Sequence, residues 1–230
     1  MVTDRDRSVV CWIAAIGAVR AQDVMARFGM GRTVAYRRLG ELVARRLVRA
    51  VRFSVAQPAL YVATREGLAW AGVEDVDPAH VGIAMARHWA LCAQLAVVLE
   101  RAERCVVWGE PRLRAAERDA EQPIASAQLG TLPDGRARLR RPDLVLFPRD
   151  GTRLPVAVGV ELSVKGARRL QAICRAWARC RIVSEVRYYA PAEVAGAVSR
   201  AVSVVHGEDA IRVLSLERIV EEGWDDRLAA

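Results

Sequence analysis

The stretch LRRPDLVLFPRDGTRLPVAVGVELSVK, residues 139–165, decides how the larger part of this chain folds. Two β-rich runs, 139–147 and 154–162, flank the turn-forming sequence PRDGT, so the pattern predicts an antiparallel hairpin. A turn centred on Thr152 sets Asp143 opposite Glu161, Val145 opposite Gly159 and Phe147 opposite Ala157. Both acids then share one face, where Gly159 and Ala157 leave room beside them, while Leu144 and Leu146 meet Val160 and Val158 on the packed face. Continuing the strand keeps Ser163 and Lys165 on the Glu161 side. A carboxylate pair beside an ammonium is suited to hold Mg²⁺ through hard oxygen ligands, activate a water and offset charge in phosphodiester chemistry. The competing reading of the two acids is an edge ion pair with Arg140 or Arg141.

Working outward, Gly166 ends the strand and residues 167–183 form a helix with Leu170, Ile173, Cys174 and Trp177 inward and Arg168, Arg169, Arg175 and Arg179 outward. A strand (185–190), a helix (192–205) and a last strand (211–216) follow. Upstream, an uninterrupted apolar helix at 83–103 is buried on several sides or packs on a partner chain, and His88 on it reads as a hydrogen-bonded core residue. The strand CVVWGE, residues 105–110, ends in Glu110. The order α-β-β-β-α-β with an αβ extension predicts an α/β or α+β architecture with a mixed sheet for this part, and a mixed α+β class for the chain.

Residues 73–82, VEDVDPAHVG, read as a junction between an N-terminal domain, 1–72, and a second domain, 73–230. Within the first, Val9, Val10, Ile13, Ala14 and Ile16 keep helical spacing over residues 7–19. A short helix, 21–28, stops at Gly29, and after GMG a third runs from Arg32 to about Arg46. Its inward positions are Ala35, Leu39, Leu42 and Val43, while Arg32, Thr33, Tyr36 and Arg37 lie on the other face near its start. Two helices joined by a glycine turn, the second with a polar tip, describe a helix-turn-helix that reads the major groove of double-stranded DNA. Residues 47–53 and 59–63 supply a hairpin, the wing, and Thr64 caps a helix after it. In this winged helix-turn-helix, Arg37 and Arg32 are placed for guanine and Thr33 and Tyr36 for bases or backbone. Arg38, Arg45, Arg49 and Arg52 are placed for phosphates.

Composition agrees. The chain has 230 residues, 53% hydrophobic and 27% charged, with mean hydropathy +0.09, which describes a soluble globular protein and excludes disordered, collagen-like and disulfide-scaffold classes. Its net charge of +8 favours a nucleic-acid partner. Residues 1–72 carry 12 arginines against 5 acids, or +7, so that signal belongs to the N-terminal third. Among the 35 basic residues only Lys165 is a lysine, and no asparagine occurs, as expected of a high-GC genome. The surviving lysine marks a position where a compact ammonium is wanted. Five cysteines without a CxxC pair and three scattered histidines support neither a zinc site nor a disulfide framework. No run reaches the roughly 18 consecutive apolar residues of a spanning helix, and the start MVTDRDR is unlike a signal peptide, so no membrane and a cytoplasmic location are expected.

The strand end WGE, the dipeptide Pro142-Asp143, and the run VELSVK with its RRL helix together resemble the PD-(D/E)xK nuclease-like superfamily. With the winged helix closing on YVATREGLAWAG before the apolar helix, most of the chain resembles the replication-relaxation family of bacterial plasmids and integrative elements. That resemblance implies Asp143 and Glu161 as metal ligands, Glu110 as an extra acid, Lys165 as the catalytic lysine and Mg²⁺ as cofactor, with no small-molecule cofactor. The superfamily places its lysine two positions after the glutamate, where this chain has Ser163. The expected function is therefore sequence-specific DNA binding in plasmid or mobile-element maintenance or transcriptional control, as a homodimer. The alternative is a Mg²⁺-dependent endonuclease or nickase delivered by the winged helix.

Overall fold

A computed structural model describes residues 3–54 and 57–217. Helix α1, Asp4–Ile16, starts on a capping box in which the Thr3 hydroxyl accepts from the Asp6 N–H and the Asp6 carboxylate accepts from the Thr3 N–H. A two-residue strand, β1 (Val19–Arg20), leads into α2 (Ala21–Phe28), which Gly29 ends in the left-handed conformation. Helix α3 (Arg32–Ala44) is followed by β2 (Val48–Val51), β3 (Leu60–Ala63) and α4 (Arg65–Ala71), the last capped by the Thr64 hydroxyl. Strands β2 and β3 pair as an antiparallel hairpin, and β1 adds to the free edge of β3.

The second half begins with a 3₁₀ turn (Ile83–Met85), α5 (Ala86–Ala102), β4 (Val106–Gly109) and α6 (Glu110–Asp119). A separate two-stranded ribbon, β5 (Ala127–Thr131) and β6 (Ala137–Arg140), comes next. Then follow β7 (Leu144–Phe147), β8 (Val156–Val160), α7 (Ala167–Ala178), β9 (Glu185–Ala190), α8 (Ala192–Val204) and β10 (Ile211–Ser215). The five-stranded sheet has the order β10-β9-β8-β7-β4, parallel where α7 and α8 cross over and antiparallel at β4-β7-β8. The architecture is mixed α+β with a mixed sheet.

Period two divides this sheet between two cores. Leu144, Leu146, Val158, Val160 and Tyr189 pack with α5 and with Val9, Val10, Ile13, Leu39 and Leu68 of the first half. Val145, Ala157, Tyr188 and Val186 face Leu170, Ile173 and Trp177 of α7 and Val194 and Val198 of α8. The first core thus crosses residues 73–82 without a break. Helix α5 is its centre, with Cys92, Ala93, Leu95, Ala96, Val97 and Leu99 buried. By length and composition alone the stretch Ile83–Ala102, of mean hydropathy 1.2, could cross a membrane. Its packing against β1, β4, β7 and β8 is that of a core helix.

Several expectations change. The run 139–147 is two strands, because Pro142 has no N–H for a ladder and holds its neighbours extended, so β6 leaves for the ribbon before β7 begins. The hairpin register shifts by two residues. Val145 faces Ala157 and Leu146 faces Val156, with the turn centred on Gly151, whose φ of +66° glycine alone adopts without cost. Gly151 N–H donates to Pro148 C=O at 3.2 Å, closing that turn. Asp143 therefore does not oppose Glu161: Asp143 meets His88 of α5, and Glu161 meets Lys165 just before α7. Helix α6, strands β1 and β5 and the ribbon were not foreseen.

Candidate functional site

Two surfaces gather the chemistry. The first is α3 with the β2-β3 hairpin. Ala35, Leu39 and Leu42 bury one face of α3, which turns Arg32, Thr33, Tyr36 and Arg37 to solvent. The Arg32 guanidinium lies 5.9 Å from the Tyr36 ring centroid, a cation–π stack that holds the tip together. Arg52 on the hairpin lines a small recess with Tyr36 and Tyr61, so helix and hairpin form one continuous face. Arg45, Arg46 and Arg49 are also exposed. Among the described residues, none of Arg32, Arg37, Arg45, Arg49 or Arg52 makes an ion pair with a carboxylate.

Arg38 differs from these. Its guanidinium donates to Asp6 Oδ1 at 2.8 Å and to the Thr3 hydroxyl at 3.3 Å, pinning α3 to the start of α1. It is spent inside the protein, not held out for phosphate. Burial works against the Asp6 charge, but the Arg38 and Thr3 donors outweigh it and hold that carboxyl below its ordinary value. A depressed carboxyl stabilises the fold above its unfolded pKa, about 3.9, and that stabilisation is lost as pH falls through the lower folded value. Arg38→Ala is accordingly expected to cost about 1.5–3 kcal/mol at neutral pH. Urea titrations of both proteins should show the gap narrowing below about pH 4.

The second surface lies at the β7 end of the sheet. Asp143 is held by its backbone, its N–H donating to Val158 C=O at 2.9 Å and its C=O accepting from Glu110 N–H at 3.1 Å. Its Oδ2 accepts from Val160 N–H at 2.7 Å, and His88 Nε2 of α5 lies 3.2 Å from Oδ1. An ionised carboxylate only accepts, so this contact takes its proton from His88 Nε2. Burial opposes the Asp143 charge, yet the His88 contact and the Val160 N–H bring its pKa below the ordinary value. Cys92 Sγ sits 3.5 Å from the same His88 nitrogen. Burial first, then the Asp143 charge, push that thiol well above its usual range, so it is a neutral thiol at physiological pH. His88, Asp143, Glu110, Trp89, Met85 and Arg140 line a cavity of about 300 Å³.

Glu161 is buried at 4% exposure, just past the end of β8 at Val160. The strand does not carry Lys165 to it. The loop before α7 folds back instead and sets the ammonium on Glu161 Oε2. Nor is there open room beside the acids, since a Cβ on Gly159 would stand 2.8 Å from Tyr188 Cε1. The Tyr188 ring fills that space, and burial raises its phenol far out of the physiological range. Neither acid pairs with Arg140 or Arg141. Arg141 donates to the buried Glu117 at 2.8 Å, and Glu110 pairs with Arg114.

No family model, curated protein or solved structure matches the chain.

Mg²⁺ asks for about six oxygens in near-octahedral array. Here both Asp143 oxygens and Glu161 Oε2 already face hydrogen-bond or ion-pair donors, and among the described residues no three His, Cys, Asp or Glu side chains converge on one point. The acids as arranged do not fit a resident Mg²⁺, and no hydrolytic step follows from them. The arrangement can bind polar groups. His88 is the functional candidate that sequence reading passed over, since its partner lies 55 residues away and no local pattern announces the pair.

Proposed function

We propose that this chain is a sequence-specific double-stranded DNA-binding protein, acting as a cytoplasmic homodimer in plasmid or mobile-element replication, maintenance or transcriptional control, like the replication-relaxation proteins it resembles. In this reading α1, α2 and α3 with the β2-β3 hairpin are a winged helix-turn-helix, and α3 enters the major groove. The observation that carries it is the exposed cationic face, in which Arg32, Arg37, Arg45, Arg49 and Arg52 face outward and, among the described residues, pair with no acid. Arg37 and Arg32 contact guanine edges, Thr33 and Tyr36 reach bases or backbone, and Arg45, Arg49 and Arg52 hold phosphates. Arg38 positions α3 from within.

The test is enrichment of duplexes from a random pool, followed by titration of the winners. Arg37→Ala should weaken binding to them by about 5- to 150-fold, or 1–3 kcal/mol, and relax preference at one position. Arg49→Ala should weaken all duplexes alike and lower the salt slope by about one. A pool that never enriches would overturn the reading.

The second half is read as a PD-(D/E)xK-like core that has kept the acids without a metal site. One observation favours the nickase instead, namely that Lys165 closes on Glu161 although it is displaced in sequence. Supercoiled DNA incubated with Mg²⁺ or Mn²⁺ separates the two. Nicking that disappears in both Glu161→Ala and Lys165→Ala would establish the enzyme, and retarded but intact DNA the binding protein.

A further inference from the structure

A second cavity adjoins the one at His88. It measures about 490 Å³ and lies between the β5-β6 ribbon and α7, lined by Leu129, Arg138, Leu139, Arg140, Arg169 and Ile173. Leu139 and Arg140 belong to both walls, so the two cavities meet at these side chains. Their linings differ, although Arg140 belongs to both and Arg141 to the smaller one. The larger one presents three guanidinium groups, from Arg138, Arg140 and Arg169, and among the described residues none of them is within ion-pair distance of a carboxylate. Arg140 Nε is buried with no hydrogen-bond partner, a cost of about 1–3 kcal/mol for a donor left unmade. Beside the apolar walls of Trp89 and Met85, the smaller cavity presents Glu110, whose Oε1 is held by Arg114 while Oε2 remains to accept, and Asp143, whose oxygens keep lone pairs beyond the His88 and Val160 N–H contacts.

Arginine forks without acids match the oxygens of a phosphate group, and a buried unmet donor marks where such an oxygen belongs. A bare anion would leave the carboxylate end unused. A ligand with hydroxyl or amino donors at one end, a flat apolar body and a phosphate at the other would satisfy both. Each cavity by itself falls in the range usual for small-molecule sites, about 300–1,000 Å³.

We propose that the paired cavities on either side of Leu139 and Arg140 form a binding site for a nucleoside phosphate, with the phosphate on Arg138, Arg140 and Arg169 and the nucleoside against Trp89, Glu110 and Asp143. The source is a free nucleotide or the terminal nucleotide of a DNA strand, which share this chemistry. The site is built from the second half alone and does not depend on the α3 face.

Calorimetric titration of the full chain with inorganic phosphate, a nucleoside 5′-monophosphate, the unphosphorylated nucleoside and a 5′-phosphorylated trinucleotide tests it. The monophosphate should bind saturably and at least about tenfold more tightly than inorganic phosphate or the nucleoside, because each of those fills only one end. If the trinucleotide binds and the monophosphate does not, the source is a DNA end and the site stands. Arg138 and Arg169 are exposed, so Arg138→Ala/Arg169→Ala should leave the thermal midpoint of the free protein and duplex binding unchanged. It should weaken the phosphorylated probe by about 10- to 100-fold. Arg140→Lys, which retains the charge without the fork, should lose about tenfold. Absence of saturable binding by both phosphorylated probes, or equal binding by wild type and the double variant, would overturn the proposal.

Discussion

Asp23→Ala is expected to cost the fold about 3–5 kcal/mol, read as a lower urea midpoint at unchanged slope. Asp23 is fully buried and accepts from the Arg20 N–H at 2.7 Å, from Arg20 Nε at 3.0 Å and from its Nη2 at 2.8 Å. Burial drives the Asp23 pKa upward while the guanidinium and the backbone N–H pull against it. The same Arg20 nitrogen donates to the buried Gln94 of α5 at 3.0 Å. Removing the carboxylate leaves a half-buried guanidinium unpaired and the first turn of α2 uncapped, at the point where the first half grips α5. Asp23→Asn keeps the shape and one acceptor, and should lose less. A cost under about 1 kcal/mol for Asp23→Ala would mean that this network contributes little.

Gly109→Ala should cost about 3 kcal/mol, a severe effect for one methyl group. Gly109 closes β4, and a Cβ there would stand 2.6 Å from the Ala15 carbonyl oxygen and 2.8 Å from Ile16 Cα. Both obstacles are backbone at the end of α1, so no rotamer change relieves them. Its φ of −83° is ordinary, which makes the requirement one of space. Gly40→Ala, on the open side of α3 with nothing near its Cβ, is the matched control and should stabilise by up to about 1 kcal/mol. Thermal unfolding of the two variants checks the contrast, and similar midpoints would refute it.

The sequence carried most of the regular structure because amphipathic spacing is a local property. Helices α2, α4 and α8 and strands β2, β3, β9 and β10 fall where period and caps put them, Thr64 included. Helix α6 was missed because EPRLRAAERD is mostly charged, although Pro111 in its first turn after Gly109 is a start signal. Asp143 and Glu161 stand out in the sequence as acids at the strand ends, but the contacts they make do not. Lys165 reaches Glu161 through a loop, Tyr188 fills the gap from the neighbouring parallel strand, and His88 meets Asp143 from α5, none of which period two encodes. Arg38 was misread for the same reason, because helical spacing shows which residues face outward but not which acid waits there.

The unbroken core from Val9 through α5 to Tyr189 makes the chain a poor source of interchangeable parts. A fragment ending near residue 72 would bare the side chains that now lie against α5 and β4, and grafting such a head onto another protein would transplant half a core. The same continuity works as a rigid mount. Helix α3 and the cavities beside Asp143 are thereby carried on one continuous core.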